Sequence, residues 1–393
     1  MAVAPDGSAV FVTGRSPSAA GTADYATVAY SASTGGRLWA SRYVGERGAG
    51  GDAVAVAADP AGKAVFVTGS SPGRGTGADY VTIAYDAGTG RRLWLRRYNG
   101  PAGGNDDPSA IAVSADGSDV FVAGTSQGGP AAGSDFATVA YAAATGTELW
   151  ASRYGGRGGA RNVAASLAIS PDGAAVYVTG SSGSGYATVA YAAAGGQQRW
   201  ATVGPSGRAS SIGVSRHQVF VTGTSGDAFG TVAYEAGNGS RRWFVRYEGG
   251  GSGREATSMV VGSYDLWVTG SVGGEFATIR YGTGAGFQRW ASIVRSPAGG
   301  GSRARQMVIG CFGGTMYVTG GAGGSFVTVA YRAYNGSHTW LRTHPGMGMA
   351  LAVSPVSGDL IVTGTSSRSA SGGNYITFAY HGPRAHQMRC PVD

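Results

Sequence analysis

Short runs of apolar residues recur along the whole chain and are separated by residues that favour turns, mainly Gly, Ser, Thr, Asp and Asn. The runs are rich in Val, Ala, Ile, Phe and Tyr, which at this length favours β-strands over helices. Residues 53–98 show one complete unit with four such runs: 53–57 (strand a), 64–69 (strand b), 80–85 (strand c) and 92–98 (strand d). The a–b and c–d turns are short, so the pattern predicts a four-stranded antiparallel meander.

This unit is repeated about every 50 residues. A Gly that ends strand b and a Tyr that ends strand c occur eight times, and a Trp follows that Tyr by nine residues in seven copies. The glycines are Gly14, Gly69, Gly124, Gly180, Gly223, Gly270, Gly320 and Gly364; the tyrosines are Tyr30, Tyr85, Tyr141, Tyr191, Tyr234, Tyr281, Tyr331 and Tyr380; the tryptophans are Trp39, Trp94, Trp150, Trp200, Trp243, Trp290 and Trp340. One small sheet cannot bury both of its faces, so the copies must pack on each other around an axis. The repeat predicts an all-β, eight-bladed β-propeller of four-stranded antiparallel blades whose last blade lacks its outer strand, with seven blades as the alternative.

A single propeller domain is expected over residues 1–393. The predicted blades cover about 1–43, 52–98, 109–154, 165–203, 210–247, 257–294, 305–343 and 349–380, and 381–393 form a C-terminal tail. Met1 lies inside a repeat, because residues 1–7 align with residues 111–117. We therefore expect a start codon assigned too far downstream and a signal peptide missing from this chain. The expected location is extracellular or at the cell surface, or cytoplasmic if Met1 is the true start.

The most regular positions of the repeat have structural interpretations. A Gly lies five residues after the Tyr in all seven complete copies, which predicts a c–d hairpin turn with positive φ. A Thr recurs in strand c, and eight equivalent nucleophiles in one chain are less plausible than eight satisfied hydroxyls. These threonines are Thr27, Thr82, Thr138, Thr188, Thr231, Thr278, Thr328 and Thr377.

Charge narrows the partner classes. Charged residues make up 13% of the chain, and the formal net charge is +8, a sign often associated with anionic partners. However, Arg42, Arg97, Arg153 and Arg246 share one repeat position before a Tyr, so we interpret them as charges that keep an exposed outer strand soluble. The sequence predicts no nucleic-acid partner, and no apolar stretch reaches the length of about 18 residues that a membrane span needs.

The segment 84–94, Ala-Tyr-Asp-Ala-Gly-Thr-Gly-Arg-Arg-Leu-Trp, fits the pattern A-x-D-x-x-T-G-x-x-x-W. It resembles the tryptophan-docking motif of pyrroloquinoline quinone-type (quinoprotein alcohol dehydrogenase-like) propellers. Segments 24–30 and 79–85 are similar to the D-Y-x-T-x-x-Y form of bacterial β-propeller repeats in secreted and surface proteins. The resemblance covers almost the whole chain and implies eight blades with each Trp packed between neighbours.

The quinone enzymes of this family have a calcium ion, acidic and amide ligands, a catalytic Asp and often a vicinal Cys pair. This chain has no adjacent cysteines, and no Glu-Asn-Asp constellation stands out from the repeats. We therefore predict no catalytic residues and no cofactor, with calcium or pyrroloquinoline quinone as the alternatives.

A ligand site is expected where the d–a and b–c loops gather around the channel mouth of a propeller. From the strand-b Gly to the strand-c Tyr there are 16 or 17 residues in blades one, two, three and eight, but 11 in blades four to seven. The long-loop blades are neighbours in a closed ring, so these lengths predict an asymmetric groove, although drift in loop length is the alternative explanation.

The residues at the starts of the a strands are acidic on one side of this predicted mouth and rich in arginine on the other. The candidate ligand-binding residues are Asp52, Asp106, Asp107, Asn162, Arg208, Arg254, Glu255, Arg303 and Arg305. Arginine forks suit carboxylate, sulfate or phosphate groups. The Asp106-Asp107 pair suits a hard cation such as calcium.

The two cysteines, Cys311 and Cys390, lack the spacing of a zinc site or a redox pair. They fall in the a–b turn of blade seven and after strand c of blade eight. They are therefore either free thiols or one disulfide that pins the C-terminal tail, which would imply an oxidising compartment.

The sequence favours a non-catalytic, exported propeller that serves as a recognition scaffold through its variable-loop face. The expected partner is a protein or a glycan, with anionic groups as one option. The alternatives are a pyrroloquinoline quinone- and calcium-dependent oxidoreductase, and a hydrolase or lyase of acidic glycans for which no base is identifiable.

Overall fold

The computed structural model describes residues 1–17, 22–128, 133–156, 159–295, 301–311, 313–366 and 375–380. These residues form 31 β-strands and one 3-10 turn at Glu46–Gly48. Within them there is no helix with the length and apolar character needed to cross a bilayer. The chain divides into two compact units, Met1–His217 with Ala236–Gly239 and Gln218–Glu235 with Ser240–Asp393.

The first unit contains β1 (Ala2–Val3), β2 (Ala9–Pro17), β3 (Ala23–Ser31), β4 (Arg37–Tyr43), β5 (Asp52–Ala58), β6 (Ala64–Pro72), β7 (Ala78–Asp86), β8 (Arg92–Tyr98), β9 (Asp106–Val113), β10 (Asp119–Gln127), β11 (Ser134–Ala142), β12 (Glu148–Tyr154), β13 (Asn162–Ile169), β14 (Ala175–Ser182), β15 (Gly185–Ala192), β16 (Gln198–Ser206) and β17 (Arg208–Val214). The second unit contains β18 (Gln218–Thr224), β19 (Phe229–Glu235), β20 (Arg241–Tyr247), β21 (Glu255–Val261), β22 (Asp265–Val272), β23 (Glu275–Gly282), β24 (Gln288–Val294), β25 (Ser302–Ile309), β26 (Thr315–Ala322), β27 (Ser325–Arg332), β28 (His338–Pro345), β29 (Met347–Val353), β30 (Leu360–Thr365) and β31 (Tyr375–Tyr380).

Consecutive strands form eight antiparallel sheets in chain order, from β1-β2-β3-β4 to β29-β30-β31. Seven sheets have four strands, and the last has three strands among the described residues. The prediction of an eight-bladed propeller with a three-stranded last blade is confirmed, and the seven-bladed alternative is wrong.

The strand-b glycines are explained by a bulge in the neighbouring strand a. In blade two the register shifts between Ala53 and Ala55, so the chain of strand a bends towards strand b. A Cβ on Gly69 would lie 2.0 Å from the carbonyl oxygen of Asp52. The same 2.0 Å approach to a strand-a carbonyl occurs at Gly180, Gly270, Gly320 and Gly364. Only a residue without a side chain fits opposite this bulge.

Blades one to six are each joined to the next blade through a tryptophan. The indole Nε1 of Trp39 donates a hydrogen bond to the carbonyl oxygen of Ala87 at 2.8 Å, in the c–d turn of blade two. The ring covers Gly90, where a Cβ would lie 2.5 Å from Trp39 Cε3. Equivalent bonds run from Trp94 to Ala143, Trp150 to Ala193, Trp200 to Ala236, Trp243 to Thr283 and Trp290 to Ala333. The turn glycine is therefore required by this packing as well as by its positive φ of 70°.

Seven of the eight recurrent strand-c threonines are buried, Thr377 being partly exposed, and seven of the eight pair with a threonine of strand b. The pairs are Thr13–Thr27, Thr68–Thr82, Thr179–Thr188, Thr222–Thr231, Thr269–Thr278, Thr319–Thr328 and Thr363–Thr377, with Oγ1–Oγ1 distances of 3.0–3.4 Å. In blade three, Thr138 faces Ala123 instead. The structural interpretation of these threonines is confirmed.

Candidate functional site

The predicted ligand residues of the first unit lie where their a strands begin. Asp106 is the first residue of β9 and is buried. Its Oδ2 accepts a hydrogen bond from the backbone N–H of Gly100 at 2.7 Å. Burial raises the pKa of Asp106, against the lowering effect of hydrogen bonds from Ser126 and Gly100. This carboxylate holds the d–a loop in place.

Asp107 lies next to Asp106 in the same strand and is exposed. Adjacent residues of a strand point to opposite faces of the sheet, so the two carboxylates diverge. The pair therefore does not fit a shared calcium ion. Within the described part of the chain, no group of three His, Cys, Asp or Glu side chains could hold a metal ion.

Asn162 occupies the corresponding position at the start of β13 and is also buried. Its Nδ2 donates hydrogen bonds to the carbonyl oxygens of Ser134, Gly155 and Ala160 at 2.6–2.9 Å. Like Asp106, Asn162 positions a loop and does not present its side chain to solvent.

The remaining predicted residues of the first unit are more accessible. Asp52 Oδ1 lies 3.4 Å from Nε of the exposed Arg15. Arg208 begins β17 and is exposed. These two side chains, with Asp107, are the candidate residues of this unit that a ligand could reach directly.

In the second unit, two of the predicted residues form an ion pair with each other. Arg303 Nη2 lies 2.6 Å from Glu255 Oε1, which joins the starts of β25 and β21. Arg254 has different partners: its Nη1 lies 2.8 Å from Asp227 Oδ2, and its Nη2 donates to the carbonyl oxygen of Gly249 at 2.7 Å. Because these bonds occupy the guanidinium of Arg254, its fork is not open to an incoming anion.

Arg305 lies at the bulge of β25, where the register shifts between Ala304 and Gln306. Its Nη2 is 3.5 Å from Sδ of Met347, at the start of β29. The position of the bulge sets the direction of this side chain.

The arginines before the strand-d tyrosines have a role that the charge argument missed. Arg97 Nη1 donates to Asp79 Oδ2 at 2.9 Å and to the carbonyl oxygen of Ser71 at 2.8 Å. Its Nη2 also donates to the hydroxyl of Tyr43 in blade one at 3.2 Å. The Arg97 side chain is only 18% exposed, so its interpretation as a solvated surface charge is wrong.

The same arrangement occurs in blades one and three. Arg42 binds Asp24 and the carbonyl oxygen of Pro17, and Arg153 binds Asp135 and the carbonyl oxygen of Gln127. Each arginine thus joins the two arms of its own b–c hairpin, and we call these contacts arginine clamps. The sequence does contain a signal for them, because Asp and Arg are 18 residues apart in all three blades.

The clamps coincide with the long b–c hairpins. In blade two, β6 and β7 pair up to Pro72 and Ala78, leaving a five-residue tip. In blade four, β14 and β15 pair up to Ser182 and Gly185, leaving a two-residue tip. We call the described parts of the b–c hairpins of blades one to three the extended hairpins; residues 18–21 and 129–132 of these hairpins lie outside the described residues. The corresponding loop of blade eight lies outside the described residues.

Cys311 lies in the a–b turn of blade seven as predicted, and its Sγ is 3.3 Å from the carbonyl oxygen of Ser354. Cys390 lies outside the described residues, so the disulfide between them stays a prediction.

Comparison with models of known protein families identifies the family to which the chain belongs. The family model PQQ_2, described as outer membrane protein assembly factor BamB, matches residues 134–374, which is more than half of the chain. The chain belongs to this family. No curated protein matches the sequence significantly.

Solved structures of several propellers have the same fold as this PQQ_2 chain. BamB from Moraxella catarrhalis is 15% identical, with a TM-score of 0.57 over 96% of this chain and 92% of that one. Sqt1 from Chaetomium thermophilum, bound to the N-terminus of the ribosomal protein L10, is 12% identical, with a TM-score of 0.66 over 97% and 95%. Quinohemoprotein alcohol dehydrogenase from Comamonas testosteroni is 13% identical, with a TM-score of 0.55 over 95% and 75%. At these identities the similarity establishes the fold and no particular activity.

Proposed function

We propose that this PQQ_2 chain is a non-catalytic β-propeller that binds a protein partner through its d–a and b–c loops, with the extended hairpins as the main contact. The arginine clamps carry this proposal. A loop that is already ordered loses less conformational entropy on binding than a mobile one. Bonds from Arg97 to both arms of the blade-two hairpin hold the arms together next to the tip, where Arg74 is exposed.

The state of the polar groups at the a-strand starts supports binding over catalysis. The polar side chains form their hydrogen bonds with backbone groups of the protein's own loops, as at Asp106, Asn162 and Arg254. A catalytic acid or base must instead be within hydrogen-bond reach of a substrate. The accessible charges, such as Arg15 and Arg74, form exposed ion pairs, which are weak and can be exchanged for anionic groups of a partner.

Family membership supports the rest of the proposal. The family is described as an outer membrane protein assembly factor, which favours an exported protein that works by contact with other proteins. The similar propeller Sqt1 binds the N-terminal segment of a ribosomal protein. We also assign the recurrent Trp–turn contacts to the tryptophan-docking arrangement of quinone-type propellers.

A shortened hairpin tests the proposal. In the variant, residues 72–78 are replaced by the Gly-Ser turn of blade four, residues 183–184, so Ser71 and Asp79 remain available to Arg97. Proteins that copurify with the wild type from the native host are purified, and their Kd values are measured for both forms. We expect the affinity to fall at least about 10-fold, which is equivalent to about 1.4 kcal/mol of binding free energy. The Tm should change little. A partner that binds both forms equally would refute the role of the hairpin.

Melting in the presence of calcium, and of calcium with pyrroloquinoline quinone, tests the oxidoreductase alternative. A ligand at 100 times its Kd stabilises the native state by about 2.7 kcal/mol, which is measurable as a rise in Tm. We expect no rise. A clear rise with the quinone would contradict a non-catalytic scaffold.

A further inference from the structure

Three aromatic side chains of the second unit are far more exposed than is usual for their type. Tyr264, Phe287 and Tyr334 are 81%, 76% and 62% exposed, and they are the only aromatic residues among the exposed large hydrophobic residues of the described chain. Tyr264 lies in the a–b turn of blade six, Phe287 in its c–d turn, and Tyr334 in the c–d turn of blade seven. These turns are at the opposite strand ends from the d–a and b–c loops.

Hydrogen bonds bring these three turns together into one surface, which we call the aromatic patch. The backbone N–H of Thr283 donates to the carbonyl oxygen of Tyr264 at 3.0 Å, joining the two turns of blade six. Arg280 Nη1 donates to the carbonyl oxygen of Tyr334 at 2.8 Å, and its Nη2 donates to Asp265 Oδ2 at 2.6 Å. One guanidinium therefore ties blade six to the turn of blade seven.

The fold itself does not need these aromatic residues, because the other blades make the same turns without them. The position of Phe287 is occupied elsewhere by Gly36, Arg91, Thr147, Gln197, Ser240 and Ser337. The position of Tyr334 is occupied by Ser33, Gly88, Ala144, Ala194, Gly237 and Gly284. Small or polar residues are sufficient in these turns. Exposed aromatic residues clustered on adjacent blades are instead typical of a binding surface.

The charges beside the patch indicate the chemistry of its partner. Arg289 and Arg332 are exposed at the ends of the neighbouring strands. Asp265 is the nearby acid, and it is already bound by Arg280 and lies 3.5 Å from Arg289. The surface around the aromatic rings is thus positive, and exposed guanidinium groups favour carboxylates.

We propose that the aromatic patch is a second binding surface, which takes an acidic peptide segment of a partner protein carrying an apolar or aromatic side chain. The apolar side chain packs among Tyr264, Phe287 and Tyr334, and the carboxylates contact Arg289 and Arg332. Tyr and Arg are over-represented among the residues that dominate protein interfaces. This surface is independent of the extended hairpins.

The test uses a library of random 12-residue peptides displayed on phage and selected on the full chain. The patch variant combines Tyr264→Ala, Phe287→Gln and Tyr334→Ala, which are the residues of blade four at the same positions, namely Ala174, Gln197 and Ala194. Blade four forms c–d turns of the same length with Gln197 and Ala194, and Ala174 directly precedes strand b as Tyr264 does, so the variant should fold normally. The matched control combines Leu38→Gln, Leu93→Gln and Leu149→Gln, which removes three exposed apolar side chains from outer strands of the first unit.

We expect enriched peptides that are acidic and contain an apolar residue. Synthetic copies should bind the patch variant at least about 30-fold more weakly, as for loss of interface hot spots, and should bind the control normally. Arg289→Gln with Arg332→Gln should reduce the salt dependence of binding. The proposal is overturned if no enriched peptide depends on the patch, or if the dependent peptides are basic. It is also overturned if the wild type forms dimers that the patch variant does not, because a second copy would then be the occupant.

Discussion

Replacement of Gly90 by Ala tests whether the tryptophan contact between blades contributes to stability beyond the requirement for a turn glycine. Gly90 has a φ of 70°, and its added Cβ would lie 2.5 Å from Cε3 of Trp39. Gly35 provides the matched control at the same turn position in blade one. Its φ is 69°, but no described atom lies within 4 Å of an added Cβ.

The two substitutions share the cost of positive φ and differ in the steric contact. An L-residue in the left-handed region costs about 1–2 kcal/mol, so Gly35→Ala should lower the free energy of unfolding by that amount. Gly90→Ala adds overpacking against Trp39, which costs about 1–3 kcal/mol. If the ring moves to make room, its hydrogen bond to Ala87 is also weakened, at about 1 kcal/mol. We therefore expect Gly90→Ala to be about 3 kcal/mol more destabilising than Gly35→Ala.

Guanidinium unfolding followed by far-UV circular dichroism provides the measurement, with the first transition compared between variants because repeat proteins can unfold in parts. The double variant Gly90→Ala with Trp39→Ala should be less destabilised than the sum of the single changes, since the clash is absent without the indole ring. Equal effects of Gly35→Ala and Gly90→Ala would refute the argument that the indole needs this glycine.

Three further predictions concern buried polar groups. Arg97→Gln leaves the buried Asp79 without its 2.9 Å partner and should destabilise the protein by about 3 kcal/mol. Arg42→Gln removes a side chain that is 47% exposed and a contact of 3.3 Å, so it should be less destabilising. Denaturant unfolding compares the two variants, and equal losses of stability would contradict the role of the clamp. Ala123→Thr gives Thr138 the cross-strand partner found in the other seven blades and should stabilise the protein by about 1 kcal/mol, measured as a higher denaturant midpoint; a loss of stability would show that blade three has no room for the methyl group. Burial raises the pKa of Asp106, so the folded state favours the protonated form of this side chain. The contribution of Asp106 to stability therefore falls as the pH rises from the pKa of the unfolded state through the pKa of the folded state. Asp106→Asn introduces the residue type of Asn162 and should remove this pH dependence of stability. The stability of the variant relative to the wild type should therefore increase with pH from about pH 3 and then level off. A difference in stability that stays constant with pH would show that Asp106 does not titrate in this way.

The fold could be predicted from the sequence because its determinants are local and repeated. The strand-b glycines, the c–d turn glycines and the tryptophans recur at fixed spacing, and each copy supports the same interpretation. The sequence does not show the second reason why each of these positions requires glycine. Gly69 is needed because the bulge of strand a brings the carbonyl of Asp52 close to it, and Gly90 because Trp39 lies over it. Both contacts are made by residues distant in the chain.

The candidate site was harder to predict because charge type alone does not reveal which side chains are available. Asp106 and Asp107 are adjacent in sequence, but one is buried and the other exposed. From the sequence, Arg254 is a candidate for binding an anion, but in the structure Asp227 and Gly249 occupy its guanidinium group. Hydrogen bonding within loops decides availability, and loop conformation is the part of a repeat protein that the repeats do not determine.

Repetition within the chain also separates structural residues from functional candidates. A residue that appears in several blades, such as Arg97 with its equivalents Arg42 and Arg153, has a role that each blade needs, and here that role is to hold a hairpin. A residue that departs from its equivalents without harming the turn, such as Phe287, costs the fold nothing to replace. A single exposed aromatic side chain is common on protein surfaces, but a group of them on adjacent blades indicates a role outside the blade itself. The most informative positions for function in this propeller are therefore those where a single blade departs from the common pattern.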